Sequence, residues 1–190
     1  MSAVEYSLIF LSIVIGYVVT IVMVSWGKLI KYYDSQKFSI EYLLWSLILF
    51  FYLLFMWFWT FSYHLAYLDS YFWFTILLIR PLLIYFCLEV LVPDRYDEYD
   101  YREHFWNAKG KFFTLVSVLW VYEISLILIQ GMSFTLLNSR HAIYLFSLPI
   151  SLSLIFINSH KYVHWATILS FVLMLFSLGY YMLTQYISGA

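Results

Sequence analysis

Charge is what this sequence has least of. Only 11% of its 190 residues are Asp, Glu, Lys or Arg, less than half the roughly 25% of an ordinary soluble domain. A chain this poor in polar groups could not cover an aqueous surface. Its net charge of −1 excludes a basic surface for nucleic acid. A single cysteine, Cys87, excludes an intrachain disulfide framework, and its apolar setting reads as an inert buried thiol. No nucleophile motif, phosphate-binding glycine loop, paired-cysteine motif or HExxH zinc motif occurs. The opening MSAVEYSLIF carries Glu5 where a cleaved signal peptide would be positive, so the first apolar segment is expected to be retained. An enzyme is therefore disfavoured, with no catalytic residue, metal ligand or cofactor expected.

What is present is apolar and aromatic: 64% hydrophobic residues, with 19 Tyr, 18 Phe and 8 Trp. The charges gather between apolar runs of about 20 residues, the length that crosses a bilayer core as helix. Six segments follow, at 5–26, 42–63, 71–92, 112–131, 140–158 and 165–186, with a charged hinge at 93–111. The expectation is an all-α polytopic membrane protein, a single six-transmembrane-helix bundle over 1–190. In segment one, Ser12, Gly16 and Thr20 put small side chains on one face, where a neighbouring helix can approach. Ser39 is placed to cap segment two, whose aromatic middle suits lipid contact, and Asp69 or Ser70 to cap segment three. Asn138 or Ser139 takes that place before segment five. Pro81 interrupts segment three and Pro149 segment five.

Lysine and arginine set the orientation. Lys28, Lys31 and Lys37 lie between segments one and two, Arg95, Arg102, Lys109 and Lys111 between three and four, and Lys161 between five and six. The opposite connections hold only Arg140. This positive-inside asymmetry predicts both termini outside and the hinge in the cytoplasm. Three segments in each half would then run in opposite senses, as in inverted-repeat transporters. Ser12/Ser117, Tyr17/Tyr122 and Thr20/Ser125 share one constant offset, while the remaining segments do not follow it.

The runs VEYSLIFLSIVIGYVVT, LLW with its aromatic sequel, PLLIYF with LVPD, and YDYREHFWNAKGKFF resemble a widespread family of bacterial six-pass inner-membrane proteins with no assigned activity. The likeness covers most of residues 1–130. It implies fold and inner-membrane location, and it carries over no ligand or catalytic residue.

Two charges stand inside apolar segments. Arg80 lies about 13.5 Å into segment three and Glu123 about 16.5 Å into segment four, both near the midplane of a core about 30 Å thick. A charge there costs roughly 2.5–3.5 kcal/mol even on the lenient insertion scale and usually finds a partner. An Arg80–Glu123 pair is expected, either as an ion, proton or anionic-substrate site or as a latch that fixes helix order. Glu89 falls on the face opposite Arg80, near headgroup level.

On segment five, Arg140, Tyr144, Ser147, Ser151 and Asn158 form one polar stripe. On segment six, Ser170, Ser177 and Thr184 recur at sevens. Such stripes line a polar path or, more often, hold helices together. His64, His141, His160 and His164 all fall at segment ends, which disfavours haem or metal ligation in a bundle core. The hinge lacks the ligand order of a calcium loop and reads as a solvated, internally paired juxtamembrane helix. Three functions follow in order: a small transporter or channel with a midplane polar site, a scaffold or sensor subunit acting through the hinge, and a haem- or quinone-linked redox protein. The expected partners are the lipid bilayer and a second copy or another membrane or cytoplasmic subunit.

Overall fold

The computed structural model describes residues 3–31, 39–63, 70–93, 100–129 and 139–188. Lys37, His64, Asp69, Asp94, Arg95, Asp97, Glu98 and Asn138 lie outside them. Every regular element described is an α-helix: α1 (Ala3–Lys31), α2 (Ile40–Tyr63), α3 (Tyr71–Leu91), α4 (Tyr101–Ile129), α5 (Ser139–Phe156) and α6 (His160–Ser188). Four stretches are long and apolar enough to cross a bilayer: Val4–Lys31, Ile40–Phe58, Tyr71–Leu91 and Tyr101–Ile129. The apolar stretch of α5, Tyr144–Phe156, is shorter. Large side chains such as Ile13, Tyr17, Ile30, Phe58, Phe72, Phe156 and Phe176 point outward. An apolar exterior of this extent on apolar helices is the mark of a protein solvated by lipid, and the chain fits an integral membrane protein.

Contacts divide the chain into two compact units, Met1–Trp106 and Asn107–Ala190. The boundary falls inside the stretch read as the hinge.

In the first unit α1 and α3 run parallel. Phe10 meets Phe74 and Tyr17 meets Tyr85, each with ring centroids 5.9 Å apart, so the pairs ascend together. α2 runs back against α1. The Trp26 indole donates to Ser46 Oγ at 2.9 Å and packs on Phe50 at 5.2 Å, and the Ser25 and Tyr42 hydroxyls share a hydrogen bond. The buried stripe of α1 is Leu11, Ile15, Val18 and Val22, at the three- and four-residue spacing of one helical face.

That stripe corrects the expectation for Ser12, Gly16 and Thr20, which are exposed. The two hydroxyls turn back on their own helix, Ser12 to Leu8 O at 2.7 Å and Thr20 to Gly16 O at 2.8 Å. The larger aliphatic side chains on the other face offer more dispersion contact, so they take the interior. In α2 the aromatic middle divides: Phe58 is exposed and Phe50, Phe51, Phe55 and Trp57 are half-buried, while Tyr52 is buried with Trp45, Leu49, Leu53 and Met56, because a helix bulky on every face must still present one face to its neighbours.

Helix ends follow local chemistry. Ser39 caps α2, its Oγ accepting from Tyr42 N at 3.2 Å. Ser70 is the N-cap of α3 by backbone geometry alone. α4 starts at Tyr101 rather than 112. Asp100 Oδ1 accepts from Arg102 N at 3.0 Å and Glu103 N at 3.3 Å, satisfying amides that the first turn leaves open. The aromatics of that early turn are interior: Tyr101 and Phe105 are fully buried, and Tyr101 stacks edge-on against Tyr42 at 5.0 Å. The second half of the hinge is helix, as expected, with Arg102, Glu103 and Lys111 exposed but the Tyr101 and Phe105 face buried rather than solvated. α6 likewise starts at His160, so most of the loop expected before 165 is helical.

Candidate functional site

Arg80 occupies the centre of α3, on the inward stripe Leu77, Arg80, Ile84, Cys87 and Leu91, and is 3% exposed. Its neighbour Pro81 has no amide hydrogen and so removes the donor that would reach the Leu77 carbonyl one turn back. The helix nevertheless continues through it. A guanidinium thus sits in a turn whose backbone already carries a spare acceptor.

The second unit is threaded with polar groups. Lys109 is only 3% exposed. Its ammonium donates to Leu154 O at 3.0 Å, Ile157 O at 2.6 Å and Asn158 Oδ1 at 2.9 Å. Three donors meet three acceptors, and a cation stands at the end of α5 where its carbonyls lack intrahelical partners and the helix dipole is negative. Higher up, Ser117 donates to Ser151 at 2.9 Å, and Trp120 packs against Tyr144 with centroids 5.8 Å apart. The partner numbers fall on α5 as they rise on α4, so the two helices are antiparallel and joined by a polar seam.

Glu123 is 2% exposed. Lys109, Val116 and Glu123 recur at sevens along α4, so this carboxylate shares the face that carries the Lys109 clamp. Because α4 begins eleven residues early, Glu123 lies deep only relative to Lys111, the last cation before the apolar part of the helix. Measured from Lys111 it is about 18 Å along the axis.

Of the stripe expected on α5, Tyr144, Ser147 and Ser151 are buried together on the α4 side, and Asn158 joins Lys109 just past the helix end. Arg140 lies in the first turn of α5, and its side chain is not described. Pro149 lies inside the same helix, which continues through it. On α6, Ser170 and Ser177 are buried, with Ser170 donating to Ala166 O at 2.9 Å, while the Thr184 side chain lies outside the described residues.

Arg80 belongs to the first unit and Glu123 to the second. His160 is exposed and His164 half-buried beside Trp165, and the His141 side chain is not described. Among the described residues no group of three or more His, Cys, Asp or Glu is placed to hold a metal ion.

Sequence reasoning missed two features of this region. Asp100 and Glu103 form the D-x-x-E pattern of a capped helix start, which was there to be read. Lys109 had no such signal, since its partners lie 45–49 residues away and nothing local distinguishes it from Lys111. No family model, curated protein or solved structure matches the chain.

Proposed function

We propose that this is a six-span bacterial inner-membrane protein that moves a proton, an ion or a small anion past buried ionisable groups in its membrane helices, Arg80 in the first unit and Glu123 in the second. The observation behind it is the burial of both ionisable side chains within long apolar helices. Such residues are costly in lipid and concentrate on ion and proton pathways. The buried hydroxyls Ser117, Ser147 and Ser151 add polar groups along α4 and α5. Six apolar segments support six spans, and the eight-to-one lysine and arginine asymmetry of the connections supports both termini outside and a cytoplasmic start of α4. The likeness of residues 1–130 to six-pass inner-membrane proteins supports the bacterial inner membrane. The broad outward apolar faces also suit a second copy or another membrane subunit.

Reconstitution tests this directly. Wild type in proteoliposomes should pass protons or a small anion down an imposed gradient, and Arg80→Gln should abolish that flux. Equal flux from wild type, Arg80→Gln and protein-free vesicles would remove the reading. The pair itself is tested by charge reversal: Arg80→Glu with Glu123→Arg should recover function or expression that each single change loses.

A second reading has its own observation. The Lys109 clamp fastens the charged beginning of α4 to the end of α5 with every donor used. That rigidity suits a scaffold or sensor subunit read by a cytoplasmic partner at the hinge. Such a protein would show no flux, yet disrupting the clamp would release the partner.

A further inference from the structure

The groove between α1 and the end of α3 is lined by Tyr17, Thr20, Ile21, Val24, Glu89, Val92 and Pro93 and encloses about 280 Å³. Its polar side chains, Tyr17, Thr20 and Glu89, can each accept a hydrogen bond. Glu89 contributes a carboxylate, which the Tyr85 hydroxyl hydrogen-bonds from the flank while Tyr85 packs on Tyr17. Thr20 spends its proton on Gly16 O, leaving its oxygen lone pairs toward the groove. Pro93 has no amide to give the Glu89 carbonyl four residues back, and the end of α3 is the negative pole of its dipole. Tyr17 contributes an aromatic ring to the wall, and ring faces attract cations. A carboxylate at this level, at the end of a membrane-length helix, lies where lipid headgroups are.

From this the geometry points to a binding site for a primary ammonium group, in the chemistry of an ethanolamine headgroup. An ammonium offers three donors to the Glu89 carboxylate and the hydroxyl oxygens beside it, whereas a trimethylated amine offers none. Lys28 continues the Thr20–Val24 face of α1 about 6 Å further on, where it meets the phosphate that accompanies such an ammonium in a phospholipid. The ligand is therefore either the headgroup of phosphatidylethanolamine or a soluble amine of the same chemistry. This site is independent of transport at Arg80.

Native mass spectrometry of the full chain in detergent micelles tests it, with phosphatidylethanolamine, phosphatidylcholine and phosphatidylglycerol titrated in turn. Wild type should hold phosphatidylethanolamine about tenfold tighter than phosphatidylglycerol or phosphatidylcholine, the scale of one charge-assisted hydrogen bond. Glu89→Gln should remove that preference, and Thr20→Leu should remove it by filling the groove with the charge intact. Both positions are exposed, and an unchanged circular-dichroism melt verifies that each variant folds. Displacement of the lipid by excess free ethanolamine identifies a soluble-amine site, and resistance to it identifies a lipid site. Equal affinity of wild type for all three lipids would overturn the proposal, as would an undiminished preference in either variant.

Discussion

The seam between α1 and α3 and the seam between α4 and α5 solve the same problem differently. In the first, rings and aliphatic side chains interlock, Phe10 on Phe74 and Tyr17 on Tyr85, over buried Leu11, Ile15, Ile84 and Leu88. In the second, Lys109, Ser117 and Ser151 supply directed bonds at successive levels. Lipid tails are as apolar as leucine, so neither seam is driven by escape from water. The first is held by shape and dispersion, which any good fit supplies. The second is held by donors and acceptors, which accept one register only. A seam of that kind fixes geometry, whether for a polar path or for a cytoplasmic reader.

The comparison breaks most visibly at Ile84, which is fully buried. Ile84→Ala leaves a void and should cost roughly 2–3 kcal/mol, whereas Ile84→Leu keeps the volume and should cost under about 1.5 kcal/mol. Lys109→Met reverses the logic. It keeps the volume yet leaves the buried Leu154 carbonyl, the half-buried Ile157 carbonyl and Asn158 without their donor, and should cost about 2 kcal/mol. Unfolding in mixed micelles with rising dodecyl sulfate, followed by circular dichroism, measures all three. If Lys109→Met were as mild as Ile84→Leu, the α4–α5 seam would be held by shape after all.

Why these differences were only partly legible follows from the range of each signal. Hydropathy is local, so α3 was expected at 71–92 and is found at Tyr71–Leu91. It is also blind to helix built from charged residues, which is why the first eleven residues of α4 looked like a hinge. Periodicity distinguishes faces but not which face is inside. Ser12, Gly16 and Thr20 form a stripe as regular as Leu11, Ile15, Val18 and Val22, and only packing decides between them. Arg80 and Glu123 stood out because lipid makes every buried charge conspicuous. Lys109 did not, because an ordinary cationic flank and a clamp on a distant helix end have the same sequence.

The cap of α4 sharpens the comparison at smaller scale. Asp100→Ala removes the acceptor of two amides and should cost about 1 kcal/mol. Asp100→Asn or Asp100→Ser should restore most of it, since each still accepts. The same unfolding measurement applies, and no loss in Asp100→Ala would mean that Tyr101 and Phe105 alone anchor the helix start.

The smallest effect is the most discriminating. Each hydroxyl has one proton: Ser117 Oγ lies 2.8 Å from Phe113 O and 2.9 Å from Ser151 Oγ, and Ser151 Oγ lies 2.9 Å from Leu148 O, so either proton can turn back on its own helix. A serine with such a fallback loses little when its cross-helix partner goes. Ser117→Ala and Ser151→Ala should therefore each cost only about 0.6 kcal/mol, the scale of interhelical hydrogen bonds in membranes. In a double-mutant cycle the pair should couple by a similar amount, because the single bond between them is lost once. Zero coupling would reduce the two hydroxyls to small packing residues. The directed character of the α4–α5 seam would then reside in Lys109 alone, at one end, leaving the middle of the seam no different from α1 against α3.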